Sequence, residues 1–336
     1  DFRGSHILSI DQFDRSDIEK LFSVADKLEP FASKEKITRV LEGAILGNMF
    51  FEPSTRIRIS FGASFNLLGG NVREITEVGS SSLAKGESLA DTAQVLSGYS
   101  DIIVLRHPEN GSVQKFADSS RVPVINAGDG SNEHPSQALL DLYTIEKELS
   151  LNKKNLDNLR IALVGDLKYG RAVHSLCKIL SKFSNVNMNL VSPGELRLPE
   201  NLLNELNEAG VSVIQTENLE EGISGVDIIY VTRVQEERFK NKEDANKYRG
   251  LLSLNQSIYT ANCEPNTVIM HPLPRDSRSD ANELDRDLYE NPNLAIFRQA
   301  DNGVVIRMAI FALVLGVENK ITETAKSVNW KVGLSN

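Results

Sequence analysis

The sequence predicts an α/β protein built from two doubly wound parallel-sheet domains. Short apolar runs alternate with helical patterns along almost the whole chain, and one polar stretch, Ser150-Leu-Asn-Lys-Lys-Asn-Leu-Asp-Asn, interrupts the alternation near the middle. Strands that alternate with helices are typical of a parallel sheet with helices on both faces. The length of 336 residues agrees with two domains, because one domain takes roughly 150 residues.

In the first half of the chain, β-type apolar runs predict strands, and the stretches that separate them predict helices. The predicted strands are Ala44–Phe51, Asn71–Thr76, Asp101–Arg106 and Val122–Asn126. The predicted helices are Ser54–Leu68, Glu87–Tyr99, Ser112–Ser119 and Pro135–Leu149.

The alternation restarts after the polar stretch and predicts a second sheet. The predicted strands are Arg160–Val164, Val186–Val191, Val211–Gln215, Val226–Thr232 and Thr267–His271. The predicted helices are Arg171–Phe183, Pro199–Ala209 and a last helix from about Asn302 to Leu315. The segment Arg233–Arg249 is dense in charge and has no strand pattern, which predicts an exposed loop.

Composition excludes several classes of protein. The 37 Lys and Arg against 46 Asp and Glu give a net charge of −9, which argues against nucleic acid or an anionic membrane as a partner. Cys177 and Cys263 form no C-x-x-C pair and are too few for a disulfide scaffold, as suits a reducing cytosol. The longest apolar stretch, Met308–Val317, is far shorter than the ~20 residues of a membrane helix. We therefore expect a soluble cytoplasmic protein with no structural metal.

Ligands of parallel α/β sheets bind beyond the carboxyl ends of the strands. The polar segments that follow predicted strands are therefore candidate sites, and they are the segments richest in Arg and His: 52–58, 106–108, 127–137, 165–171, 232–238 and 271–275.

The segment at 52–58 has the features of an anion site. Ser54 can cap the helix that follows, the next amides have no intrahelical partner, and the helix dipole adds positive charge. Arg56 adds a fork of donors that suits phosphate oxygens. The alternative is an ordinary capped helix with solvated arginines.

Two further candidates lie in the first domain. Arg106 ends an apolar strand, where it can face a ligand or pair with a nearby carboxylate. His134 and Gln137 are three residues apart at the start of a helix, so both can donate to one carbonyl oxygen. The alternative for His134 is a ring that hydrogen-bonds to the backbone of the turn.

The second domain offers three candidates. Arg171 lies where a dinucleotide fingerprint would lie, but the segment is not G-x-G-x-x-G, so a nicotinamide site is disfavoured. Arg233 follows a strand. Leu273 lies between two prolines in the segment 271–275, which follows a strand and which we call the lip; the prolines would make its backbone rigid, so that its carbonyls could accept hydrogen bonds from an amine. The alternative for this lip is a simple turn.

Recognisable nucleophile and metal motifs are missing from the sequence, which indicates a reaction between anions without a covalent intermediate or a metal.

Taken together, six ordered segments give the chain a strong resemblance to the aspartate carbamoyltransferase catalytic chains, from about residue 5 to residue 316. The segments are Ser54-Thr-Arg-Ile-Arg58, Leu105-Arg-His-Pro108, Gly128-Asp-Gly-Ser-Asn-Glu-His-Pro-Ser-Gln137, Gly165-Asp-Leu-Lys-Tyr-Gly-Arg171, Thr232-Arg-Val-Gln235 and His271-Pro-Leu-Pro-Arg275.

The resemblance implies an activity without a cofactor: carbamoyl transfer from carbamoyl phosphate to the amino group of L-aspartate, in pyrimidine synthesis. The implied carbamoyl phosphate residues are Ser54, Thr55, Arg56, Ile57, Arg106, His134 and Gln137. The implied aspartate residues are Lys85, Arg171, Arg233, Gln235, Leu273 and Pro274. Of these, Arg56, Arg106, His134 and Lys85 are implied to act in catalysis.

The resemblance also implies the domain plan and the assembly. Residues 1–149 would form the carbamoyl phosphate domain, residues 150–301 the aspartate domain, and the helix at 302–316 would pack back on the first domain, so that helices join the two. The chain would form a homotrimer with shared active sites, in which Lys85 and either Ser81 or Ser82 enter the site of a neighbour. Whether regulatory chains or a partner pyrimidine enzyme bind is left open by the sequence.

One residue departs from the family pattern. Ile57 stands where the family usually has Thr, so the backbone N–H is kept and a hydroxyl donor to phosphate is lost. This departure supports an alternative, a weakly active or inactive paralogue that acts as a scaffold for a partner enzyme. A sibling transferase that acts on ornithine is a further alternative, which Arg171 and Arg233 disfavour because they would repel a cationic side chain.

Overall fold

The structure is a computed structural model of the chain, and it describes residues 1–76 and 86–330. Contacts between Cα atoms divide the chain into two compact units. The first unit combines Asp1–Ser136 with the described residues from Asn302 onward, and the second is Gln137–Asp301. Each unit contains a parallel sheet with helices, which confirms the predicted fold class.

The elements of the first unit that precede the second alternate between helices and strands from β2 (Ile45–Phe50) onward. In chain order they are α1 (Arg15–Ala32), β1 (Lys36–Ile37), β2 (Ile45–Phe50), α2 (Thr55–Leu67), β3 (Asn71–Ile75), α3 (Leu89–Ser97), β4 (Ile102–His107), α4 (Ser112–Ala117) and β5 (Val124–Asp129).

The remaining elements begin with a long helix and end with a short strand near the carboxyl terminus. They are α5 (Pro135–Leu151), β6 (Arg160–Val164), α6 (Arg171–Leu180), β7 (Asn187–Val191), α7 (Glu200–Glu208), β8 (Ser212–Thr216), α8 (Leu219–Ile223), β9 (Ile228–Val231), α9 (Lys242–Asn246), α10 (Gln256–Asn262), β10 (Val268–Met270), α11 (Ile296–Val314) and β11 (Lys326–Ser327).

The two parallel sheets are each doubly wound. Their strand orders are β3-β2-β4-β5 in the first unit and β10-β9-β6-β7-β8 in the second. Strands β4 and β5 are buried along their whole length, as expected for strands with helices on both faces. The strand orders show that the direction in which successive strands are added reverses between β2 and β4 in the first sheet, and between β6 and β9 in the second.

The part of helix α11 from Asn302 onward belongs to the first unit. The ring of Phe311 makes edge contacts with Phe61 and Phe65 of α2, at centroid distances of 6.0 and 5.0 Å. The Ser64 hydroxyl donates to the Val304 carbonyl at 3.1 Å. These contacts explain why the residues after Asn302 group with the first unit.

The division by contacts falls earlier than the 149/150 boundary that the sequence suggested. Helix α5 makes buried hydrogen bonds within the second unit, such as Tyr230 Oη to Asp141 Oδ2 at 2.6 Å. The guanidinium of Arg298 also donates to Glu148 near the end of α5, at 2.6 Å. Most of α5 therefore groups with the second unit.

Several elements were not predicted from the sequence. Helix α1 begins with a capping box between Asp14 and Asp17, and β1 pairs antiparallel with β11. Helix α11 starts six residues before the predicted Asn302, at Ile296. The charged segment 233–249 was predicted as a loop, but it contains α9 and a 3-10 turn at Glu236–Arg238, and Glu236 of this turn pairs with Arg249 at 2.7 Å. Among the described helices, none is long and apolar enough to cross a membrane.

Candidate active site

The first candidate region is the point where the chain changes direction in the first sheet. Strands β2 and β4 are parallel neighbours there, with Phe50 opposite Arg106, and ligands of doubly wound sheets bind outside such a point. The residues that follow β2 lead into α2, and Arg106 is the next-to-last residue of β4. The topology therefore brings two of the predicted segments together.

Helix α2 begins at the predicted anion site. Ser54 occupies the N-cap position, as predicted, but its side chain makes no capping hydrogen bond. Thr55 and Arg56 are exposed in the first turn, and Ile57 is half-buried. Amides of a first turn have no intrahelical partner, so this turn offers donors and positive dipole charge to an anion.

Arg106 is held rigidly at the end of β4. The side chain is 8% exposed, and Nη2 lies 2.8 Å from Glu52 Oε2 in the loop after β2. A second nitrogen, Nη1, donates to the Ala127 carbonyl at 3.1 Å. Pairing with a carboxylate was the alternative reading of Arg106, and it is present; the same pair also fixes the guanidinium at the direction change, where a ligand would bind.

His134 lies in a turn that is fixed by buried hydrogen bonds. The neighbouring Glu133 carboxylate accepts from the Ser9 hydroxyl and from the Ile10 amide, both at 2.8 Å. The His134 side chain itself is 3% exposed, and its Nδ1 lies 3.5 Å from the Ser136 hydroxyl. The turn thus holds the imidazole in place before α5 begins.

Gln137 lies in the first turn of α5 and belongs to the second unit. It is 8% exposed, and its Nε2 donates to Asp141 Oδ1 at 2.9 Å. The two residues are one helical turn apart, so they face the same side of α5. The Gln137 side chain is therefore oriented by the helix that carries it.

The second candidate region is the direction change between β6 and β9. Gly165, directly after β6, has φ +118°, and an added Cβ would lie 2.1 Å from the Thr232 carbonyl oxygen after β9. Only glycine adopts this conformation readily and allows such an approach of two backbones. The ends of β6 and β9, which lead to Arg171 and Arg233, are therefore in direct contact.

Asp166 fastens the two loops that leave these strands. Its carboxylate accepts from the Gln235 amide at 2.9 Å and from the Tyr169 amide at 3.0 Å. Burial raises the pKa of this carboxyl, against the lowering effect of those hydrogen bonds and of Arg233. Arg171 begins α6 two residues beyond Tyr169 and is half-buried, so its position follows from the same loop.

Arg233 forms a two-point pair with a carboxylate of its own loop. Its Nη1 and Nη2 donate to the two oxygens of Glu237 at 3.0 and 2.5 Å. Burial lowers the pKa of Arg233, but the hydrogen bonds and charge of Glu237 outweigh this effect and raise it. The pair shows that two nitrogens of this guanidinium can bind one carboxylate together. Sequence reasoning missed Glu237, although the four-residue separation of opposite charges is a signal that could have found it.

The lip after β10 has an unusual backbone. Leu273 has φ +54° and precedes a cis bond to Pro274, and its amide donates to His271 Nδ1 at 2.9 Å. A positive φ at a residue other than glycine costs about 1–2 kcal/mol and often marks a functional segment. The predicted rigid lip is thus present, and His271, whose pKa burial lowers, supports it.

One predicted group is not placed by the structure. Lys85, with Ser81 and Ser82, lies outside the described residues. Its role remains a prediction.

Comparison with known proteins assigns the family. Residues 5–147 match the model described as the aspartate/ornithine carbamoyltransferase carbamoyl-P binding domain, and residues 157–314 match the corresponding Asp/Orn binding domain. The chain therefore belongs to the aspartate/ornithine carbamoyltransferase family.

Similar proteins support this assignment along the whole chain. The aspartate carbamoyltransferase catalytic subunit of Cellvibrio japonicus is 65% identical over 98% of this chain and 97% of its own length. That of Saccharophagus degradans is 64% identical over 98% of both.

Solved structures give the same result for the fold. The catalytic subunit of the M. jannaschii aspartate transcarbamoylase is 42% identical with a TM-score of 0.84, over 94% of this chain and 99% of that one. The Trypanosoma cruzi aspartate transcarbamoylase in complex with carbamoyl phosphate and aspartate is 36% identical with a TM-score of 0.86, over 94% and 98%.

The contact between Gly165 and Thr232 gives a direct test of the second region. A Gly165→Ala variant should lose more than about 3 kcal/mol of unfolding free energy, because the methyl group overlaps backbone and the φ is strained. Gly225→Ala is the matched control, since Gly225 also has positive φ, +69°, but an added Cβ meets nothing within 4 Å. It should lose only about 1 kcal/mol. Denaturant unfolding of both variants measures the difference, and equal losses would contradict the proposed close approach.

Proposed function

We propose that the chain transfers the carbamoyl group of carbamoyl phosphate to the amino group of L-aspartate, giving N-carbamoyl-L-aspartate and phosphate. The observation that carries the proposal is the placement of arginines at the direction changes of both sheets, with the paired Arg106 at the first, and the paired Arg233 and the start of α6 at Arg171 at the second. Substrates with a phosphate and two carboxylates need such groups. The resemblance supports a role of this reaction in pyrimidine synthesis.

Carbamoyl phosphate would bind to the first set of residues. The first turn of α2, with Ser54, Thr55, Arg56 and the Ile57 amide, would hold the phosphate oxygens. Arg106 and His134 would donate to the carbonyl oxygen and stabilise its negative charge as the amine adds. Gln137 would bind the carbamoyl amide.

Aspartate would bind to the second set. Arg171 and Arg233 would each hold a carboxylate with two hydrogen bonds, and substrate would take the place of Glu237 on Arg233. Gln235 and the carbonyls at Leu273 and Pro274 would orient the amine, and Lys85 would add a positive charge from a neighbouring chain.

The reaction then needs no covalent intermediate on the protein. The uncharged amine attacks the carbamoyl carbon, the new C–N bond forms, and the C–O bond to phosphate breaks with its electron pair. One amine proton leaves with the phosphate. Holding both reactants in place can supply about 7–11 kcal/mol of the barrier, and the fixed cations stabilise the charge that develops.

Steady-state kinetics of Arg233→Ala tests the assignment of the acceptor. The loss of a two-point charged pair, about 3 kcal/mol or more, should lower kcat/KM for aspartate by about 100-fold or more, mainly through KM. The KM for carbamoyl phosphate should change by less than about threefold.

Arg298→Ala is the matched control for this variant. Arg298 also makes a two-point pair, with Glu148 at 2.6 and 3.1 Å, but it does not follow a strand. Its loss should leave kcat/KM for aspartate within about threefold of the original. Equal effects of the two substitutions would reject the role of Arg233, and absence of carbamoyl-aspartate formation in the unmodified protein would reject the function.

Ile57 leads to a prediction about carbamoyl phosphate. A threonine here would restore a hydroxyl donor, and a hydrogen bond to a charged group contributes about 1.5–3 kcal/mol. Ile57→Thr should therefore bind carbamoyl phosphate about 10- to 150-fold more tightly. Calorimetric titration of both proteins measures this, with Ile59→Thr, an exposed position on the same helix, as the control. Equal affinity of the Ile57→Thr variant and the original would contradict the prediction.

The scaffold alternative receives no support from the comparisons, since relatives named as catalytic subunits match 98% of the chain. Formation of carbamoyl-aspartate in the steady-state assay would also exclude an inactive scaffold. The ornithine alternative predicts activity with ornithine and none with aspartate, which the same assay can test.

The homotrimer and the entry of Lys85 into a neighbouring site are proposed from the resemblance, and the cytoplasmic location is proposed from the cysteine usage. A native mass measurement that gave a monomer in the active protein would exclude shared sites.

A further inference from the structure

A buried hydrogen-bond network in the second unit surrounds Asp141 of α5. The Asp141 side chain is completely buried. Its Oδ1 accepts from Gln137 Nε2 at 2.9 Å and from Gln299 Nε2 at 2.6 Å, and its Oδ2 accepts from the Tyr230 hydroxyl at 2.6 Å. Three donors from three different elements thus converge on one carboxylate.

The network determines which end of each amide faces Asp141. The Gln299 Oε1 accepts from the His271 amide at 2.9 Å, so its Nε2 must be the end at Asp141. The Tyr230 hydroxyl keeps its proton, because burial and the Asp141 charge raise its pKa well above the usual value. Asp141 is the acceptor in all three of these hydrogen bonds.

The consequence for Gln137 is a fixed orientation. Its Nε2 must point to Asp141, because Oε1 would be repelled by the carboxylate. The carbonyl oxygen of Gln137 is therefore the end that remains to accept an N–H group of a ligand. The carbamoyl group has such an N–H, so the orientation matters for binding.

The network is also rigid at its far end. Beyond Gln299, His271 accepts the Leu273 amide at Nδ1, so the ring donates through Nε2 to Glu283 Oε1 at 2.7 Å. Both His271 and Gln299 are 1% exposed. Asp141 is thus held in place by the same segment that forms the lip after β10.

We propose that Asp141 is a positioning residue for carbamoyl transfer, which fixes the Gln137 amide with its carbonyl oxygen available to the carbamoyl N–H. The proposal rests on the proposed function, since it acts through a residue that would bind carbamoyl phosphate. It predicts that Asp141 and Gln137 contribute to the reaction as one unit and not independently.

Asp141→Asn tests the proposal with little change in volume. Hydrogen bonds to a neutral acceptor are about half as strong as to a charged one. The Asn side chain can also turn its NH2 group toward Gln137, which would favour the opposite orientation of the Gln137 amide. We expect kcat/KM for carbamoyl phosphate to fall about 10-fold. In a Gln137→Ala background the same substitution should change kcat/KM by less than about twofold, because the group it positions is gone.

A control separates positioning from general destabilisation. Tyr259 is a buried tyrosine of the same unit whose hydroxyl donates to the Thr267 carbonyl at 2.7 Å. Tyr259→Phe should lower the Tm but leave kcat/KM unchanged. If Asp141→Asn fails to fold, Gln299→Met removes a donor that fixes Asp141, and it should lower kcat/KM about threefold, again only when Gln137 is present.

The outcomes are distinct. An additive loss in the Gln137→Ala background, or unchanged kinetics in folded Asp141→Asn, would overturn the positioning role. An unmodified protein that formed no carbamoyl-aspartate would instead reject the proposed function.

Discussion

The contact between neighbouring strand ends at the direction change of each sheet is the constraint on which the candidate site depends. In the second unit, Gly165 allows the end of β6 to meet the Thr232 carbonyl after β9, and Asp166 then bonds to the loop that carries Arg233. In the first unit, Phe51 donates its amide to the Arg106 carbonyl at 2.9 Å, which keeps Glu52 beside that guanidinium. Backbone contact thus decides where the charged side chains can be.

A second common feature is that guanidinium groups are held by carboxylates of the protein itself. Glu52 pairs with Arg106 and Glu237 with Arg233, each at hydrogen-bond distance. Such pairs hold the fork in a single orientation, so less conformational entropy is lost when a substrate binds. Under the proposed function, an anionic substrate would compete with the partly exposed Glu237 carboxylate for Arg233.

Much of the fold and of the candidate site could be predicted from the sequence, for a physical reason. Buried parallel strands are continuous apolar runs, and polar residues directly after them mark the ligand side of the sheet, which located Arg106, Arg171 and Arg233. Helix α1 was missed, although Asp14 and Asp17 form its capping box. The contacts of Asp141 could not be derived, because they form only in the folded chain. The pair of Arg233 with Glu237 could have been derived from the four-residue separation of the two charges. Ser54 occupies the predicted N-cap position without a hydrogen bond from its side chain, since residue preference does not fix a side-chain rotamer.

The most direct test of the account uses N-(phosphonacetyl)-L-aspartate, which joins a phosphonate to the two carboxylates of aspartate and was bound in a Trypanosoma cruzi relative that is 36% identical to this chain. If the phosphate set and the carboxylate set act in one reaction, this compound should engage both. Calorimetric titration should then give an affinity at least about 100-fold greater than that of phosphate or of aspartate alone. An affinity no greater than that of phosphate would contradict the account.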